Sequence, residues 1–113
     1  MVMKNGRKPD RNERREEALR PCPTLGYDRD HLACHLISRE AFGLAESQLR
    51  RAIWLNPYEP RFKKHLAWAL FMQGKHAEAR AWVHQALEQQ PDSANAQEIL
   101  ALLDEDQSPR DAK

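Results

Sequence analysis

The sequence predicts an all-α protein, a solenoid of antiparallel helix pairs with about five helices and a flexible charged N-terminal arm. Three observations carry this expectation. Small and apolar residues recur at helical spacing, as in Leu66, Ala67 and Leu70, then Ala79, Val83 and Ala86. The pattern also repeats. A step of 34 residues back from Leu66-Ala67, Leu70, Ala79, Ala86 and Pro91 lands on Leu32-Ala33, Leu36, Ala45, Ala52 and Pro57, and a step forward lands on Leu100-Ala101. A fixed period of this size marks stacked helical hairpins, none of which buries its own apolar face alone. Finally, residues that stop helices fall between the runs: Gly74 inside one pair, and Asn56-Pro57 and Pro91 between pairs.

Composition sets the frame. The chain has 113 residues, enough for one small domain, with 41% hydrophobic and 31% charged residues and a net charge of +1. A near-neutral balance argues against a dedicated nucleic-acid or membrane surface for the whole protein. The charge is uneven, however. Residues 1–20 hold seven Lys/Arg against four Asp/Glu, and the remainder eleven against thirteen. No apolar run reaches the ~18 residues of a membrane span, and the start lacks the apolar centre of a secretory signal. Cys22 and Cys34 make no disulfide framework. These features predict a cytoplasmic protein with free thiols.

In chain order, residues 1–25 read as a charged arm followed by a Pro-rich linker, Arg20-Pro21-Cys22-Pro23. The arm has no apolar face, so any helix in it has nothing to bury. A helix is expected to start near Asp28, a good N-terminal cap and first-turn residue, with Leu32, Ala33 and Leu36 on its buried face. A weak break at 39–43 leads to a second helix, Phe42 to Leu55, with a stripe of Ala45, Leu49, Ala52 and Ile53. Glu59-Pro60 opens the third helix and Gly74 ends it. The fourth runs from His76 to Gln89, and the fifth from Ser93 to Asp104, followed by a polar tail.

With these residues in place the chain resembles the tetratricopeptide repeat family. That family's pattern is W-x2-L-G-x2-Y, A-x3-F and P over 34 residues. Leu32-Ala33 and Leu66-Ala67 stand at the Leu-Gly pair, and Leu36 and Leu70 at the tyrosine. Ala45 with Leu49, and Ala79 with Val83, stand at Ala and Phe; Pro57 and Pro91 close the repeats. Arg29 and Lys63 replace the tryptophan. The resemblance implies a right-handed solenoid: repeat 1 over 26–59, repeat 2 over 60–93, a capping helix over 94–104 and a tail over 105–113. Two repeats and a cap fall short of the roughly three wanted for stability, which predicts help from a homodimer, the N-terminal segment or a permanent partner.

The resemblance also implies a function: a non-enzymatic protein-interaction module, a scaffold or a small subunit of a larger assembly, holding a peptide or helix in the concave groove. The groove-facing positions are Tyr27, Asp30, Cys34 and Ile37 in the first repeat, Arg61, Lys64, Trp68, Phe71 and Met72 in the second, and Leu102 in the cap. Cys34, Trp68 and Leu102 are expected to form a row across it. The family's best-known peptide readers grip a C-terminal carboxylate with Lys and Asn. Lys64 matches one such lysine, but Trp68 and Cys34 stand where asparagine belongs, so an apolar segment with some acidic character suits the groove better. Trp54 and Trp82 are expected to be partly buried against the next repeat.

Two alternatives have a chemical basis. His31, Cys34 and His35 share one arc of a helix and, with Cys22, offer the ligand types of a structural zinc or a redox centre, although no C-x-x-C pair is present. The basic arm could tether RNA or an acidic surface. His65, His76 and His84 read as isolated and solvent-facing or partly buried. No phosphate loop, G-x-S-x-G, H-E-x-x-H or carboxylate pair appears, so the sequence predicts no enzyme and no cofactor.

Overall fold

The computed structural model describes residues 10–106. Six helices, and no strand among the described residues, follow one another in chain order. They are α1 (Arg11–Leu19), α2 (Tyr27–Ser38), α3 (Phe42–Leu55), α4 (Pro60–Met72), α5 (His76–Gln89) and α6 (Ala94–Asp106). From α2 onward each helix packs against the next, and α4 lies at the centre, also touching α2 and α6. The first helices of the successive units, α2, α4 and α6, therefore share one side of the molecule.

Local chemistry sets the boundaries. Pro60 begins α4, where its missing N–H costs nothing, and the Glu59 carboxylate accepts from the Arg61 N–H. Ser93 Oγ accepts the Ala96 N–H at 3.3 Å at the start of α6. The turns inside the two hairpins are copies of each other. The Ala41 N–H donates to the Leu36 carbonyl at 2.8 Å, and the Lys75 N–H to the Leu70 carbonyl at 2.9 Å. Both turns need a left-handed residue, Gly74 at φ 81° and Glu40 at φ 62°. The break that looked weak in the sequence is thus the same turn with the wrong residue in its glycine position.

The core joins α2 to α6 through Ala33, Ala45, Leu49, Leu66, Ala67, Ala69, Leu70, Ala79, Val83, Ile99 and Leu103. Five of these eleven are alanine, which lets helix axes approach closely. The family's tryptophan position is filled by long cationic stems. Arg29 reaches Glu16 and Gln48, while Lys63 is buried and its pKa is lowered by desolvation, which the Glu88 charge opposes.

Several expectations need correction. Leu32 is 45% exposed although its counterpart Leu66 is fully buried, because among the described residues no repeat precedes α2 to cover it. In α6 the buried stripe is Ala96, Ile99 and Leu103, and Ala101 is exposed. Among the described residues no helix follows α6 to pack on the Ala101 position. The start near Asp28 holds: Gly26, at φ 94°, is the N-cap of α2, and Asp28 lies in its first turn. An added Cβ on Gly26 would sit 2.8 Å from the Phe62 ring and 3.2 Å from the Ala52 carbonyl.

The N-terminal segment is more ordered than its composition predicts. Asp10 and Glu13 form a reciprocal capping box, and α1 follows without a single buried residue. Part-buried ion pairs hold it: Arg29 to Glu16 at 2.9 Å, and Arg51 to Glu16 and Glu17 at 3.4 Å each. The Arg20 guanidinium lies 3.9 Å over the half-buried Trp54 ring. The linker is fixed by buried Asn56, whose amide donates to the carbonyls of Pro23 and Leu25. Residues 1–9 and 107–113, which carry the rest of the arm and tail, lie outside the described residues.

Glu40→Gly is expected to stabilise the domain by about 0.5–1 kcal/mol, since an L side chain in the left-handed region costs about 1–2 kcal/mol and glycine's greater unfolded-state freedom offsets part of that. Thermal unfolding followed by circular dichroism checks this; a melting temperature equal to or below that of the wild type would contradict the reading of the turn.

Candidate functional site

The shared side of α2, α4 and α6 is hollow. A cavity of about 600 Å³ opens there. Its α2 wall is Cys34 and Ile37, and α4 contributes Lys64, His65 and Trp68. The α6 wall carries Asn95, Glu98, Ile99, Ala101, Leu102 and Glu105. The floor is apolar and the rims are charged with opposite sign, Lys64 on α4 facing Glu98 and Glu105 on α6. Leu102 is 38% exposed, a large apolar side chain left uncovered at the mouth. Trp68 stacks on Phe71 with centroids 5.5 Å apart, and Phe71 stacks on His76 at 5.1 Å. This aromatic run braces the cavity wall against the α4–α5 turn.

A sequence model described as tetratricopeptide repeat matches residues 36–103, more than half of the chain. The protein belongs to the tetratricopeptide repeat family. No curated protein sequence matches it. Proteins of this family are in general non-enzymatic and bind other proteins, so the coarse function of a tetratricopeptide repeat domain, interaction with protein, applies here. No helix among the described residues is long and apolar enough to cross a membrane.

Within this tetratricopeptide repeat fold, the residues singled out in the sequence separate into three groups. Cys34, Ile37, Lys64, Trp68 and Leu102 line the cavity together. Phe71 stands behind Trp68, partly buried against the core, and Met72 is 44% exposed beyond it, so neither lines the cavity. Tyr27, Asp30 and Arg61 do not line it either. The Tyr27 hydroxyl donates to Glu59 at 2.7 Å, which raises its pKa, and its ring meets the Phe62 edge with Arg61 above it. Asp30 is only 2% exposed and bonds from α2 to His65 of α4.

The metal candidates also need correction. Cys22, His31, Cys34 and His35 do not come together. Cys22 is tied to the linker, its N–H donating to the Leu55 carbonyl and its thiol 3.1 Å from Thr24 Oγ1. The one His/Cys/Asp/Glu group with ligand spacing among the described residues is Asp30, Cys34 and His65. His65, read as isolated, donates from Nδ1 to Asp30 Oδ1 at 2.6 Å, with Cys34 Sγ 3.6 Å from the same nitrogen. Two signals were available in the sequence: Asp30 and Cys34 are four residues apart, and His65 lies one position beyond the 34-residue repeat of Asp30. On α1, Glu13, Glu16 and Glu17 turn inward while Arg11, Arg14 and Arg15 are exposed.

The two thiols differ in their surroundings. Hydrogen bonds from the Thr24 side chain and backbone hold the Cys22 thiol below the usual cysteine range. Partial burial, then the Asp30 carboxylate, push the Cys34 thiol up, against the charges of Arg61 and Lys64. Because the thiolate is the nucleophile, iodoacetamide in metal-free buffer at neutral pH is expected to alkylate Cys22 several-fold faster than Cys34. Mass spectrometry of timed digests reads the order; equal rates, or Cys34 reacting first, would contradict the environment described.

Proposed function

We propose that this protein is a partner-binding subunit whose groove holds an amphipathic helical segment of another protein. The observation that carries this reading is the cavity of about 600 Å³ with an apolar floor and oppositely charged rims. A helix with an apolar ridge fills such a floor with side chains spaced three and four residues apart, as in other helix-in-groove complexes. Lys64 favours an acidic flank on that helix, and Glu98 and Glu105 favour a basic one, so the rim charges fix its direction. Trp68 supplies the aromatic anchor that interfaces of this kind concentrate their energy on. Asparagine stands in the groove only at Asn95, on the α6 side, where the acidic rim opposes a terminal carboxylate; that favours an internal segment over a chain end.

The binding test uses a synthetic amphipathic helix with leucines at alternating three- and four-residue spacing, a Glu flank and a Lys flank. Calorimetry is expected to show binding in the micromolar range. Leu102→Glu is expected to weaken it at least tenfold while the helical circular dichroism stays unchanged, because Leu102 is exposed and outside the core. Absence of binding to the wild type, or equal binding by the Leu102→Glu protein, would overturn the groove reading.

A further inference from the structure

Asp30 and Cys34 lie one turn apart on α2, and His65 faces them from α4. We propose that these three side chains form a zinc site, with a fourth coordination position opening into the cavity and taken by water.

The geometry points to a cation before the chemistry does. Asp30 Oδ1 and Cys34 Sγ both approach the same imidazole nitrogen, Nδ1 of His65, at 2.6 Å and 3.6 Å. A nucleophilic relay needs the carboxylate on one ring nitrogen and the thiol on the other, so this arrangement does not activate the thiol. Three different donors converging on one point, all within 4.8 Å of one another, is what a single ion requires. Tetrahedral zinc, with Zn–S about 2.3 Å and Zn–N about 2.0 Å, sets S and N about 3.6 Å apart. The Cys34–His65 pair already stands at that separation. The Asp30–His65 pair is closed by the shared proton, and it needs to open to about 3.3 Å for both atoms to reach one ion. The ion takes the place of that proton.

Charge and donor type select the metal. One thiolate, one carboxylate and one neutral imidazole suit zinc, whereas calcium and magnesium take oxygen ligands. The two anionic ligands neutralise a divalent ion, so a neutral complex replaces a buried carboxylate that is 2% exposed. Neutrality also limits the repulsion from Arg61 and Lys64 nearby. Cys34 and His65 line the cavity and Asp30 lies behind them, so the free position faces the open side. Binding releases the thiol proton to solvent, and the imidazole proton moves from Nδ1 to Nε2. The site stands independently of what occupies the groove.

The test uses untagged, metal-stripped protein and no peptide, so its failure is separate from failure of the groove reading. Cobalt(II) alone is titrated while the thiolate-to-cobalt charge-transfer absorption is read, and zinc affinity is then measured against a chromogenic chelator. One equivalent is expected. Cys34→Ser is expected to abolish the charge-transfer absorption, and His65→Ala and Asp30→Asn to weaken zinc at least tenfold, each with circular dichroism recorded to confirm folding. Cys22→Ser is expected to change nothing. Less than a tenth of an equivalent bound by the wild type, absorption retained in Cys34→Ser, or an equal loss in Cys22→Ser would overturn the site. If a substitution in the trio unfolds the chain, the stoichiometry and the Cys22→Ser comparison still decide.

Discussion

The burial of α4 on opposite sides is the constraint the rest of the molecule depends on. Phe62, Leu66, Ala67, Ala69 and Leu70 of this helix are all fully buried, between α3 on one side and α5 on the other. A two-helix hairpin leaves each helix with one dry face; only stacking on a copy dries the other. Here α3 arrives from the first repeat and α5 from the second, and the alanines at 45, 67, 69 and 79 let them approach α4 closely. Removing a buried leucine such as Leu70 would cost about 2–5 kcal/mol, a large share of the stability expected of a domain this size.

Once α4 is enclosed by its neighbours, part of its remaining surface is a strip toward α2 and α6. That strip carries Lys64, His65 and Trp68, and it becomes one wall of the cavity. The same packing that makes the core therefore makes the groove, because three first helices set side by side cannot fill the concave side with their own side chains. The α6 helix is decisive here. It brings Leu102, Glu98 and Glu105 to the opposite rim, and so gives the groove its second charge.

Much of this was legible in the residues themselves. The 34-residue recurrence fixes which positions face inward wherever a copy lies on both sides, as for Leu66, Ala67, Leu70, Ala79 and Val83. It fails in α2 and α6, where the translated position has no neighbour to pack on among the described residues. Leu32 is exposed at the start, and Ala101 at the finish, although both repeat buried residues. The family match covers residues 36–103, within the span where the recurrence is found. Polar structure was harder to read. Helix α1 has no apolar face, and Arg29 and Arg51, with Trp54 under the Arg20 that follows α1, lie far away in sequence from the residues they hold. The Asp30–His65 hydrogen bond is of the same kind: it joins residues 35 apart, and spacing within one helix cannot show it. Within the groove, Cys34, Trp68 and Leu102 share the cavity as their repeat positions suggested, while Asp30 was turned inward by that same histidine.

Native-state hydrogen exchange measures the central claim most directly. If the doubly buried α4 is the last element to open, the amides of Leu66, Ala67 and Leu70 exchange only through global unfolding and are the slowest in the chain. The amides of α1, which buries no residue, and of α6, packed on one side, exchange through smaller openings and at higher rates. Amides of α4 that exchange as fast as those of α6 would contradict the account.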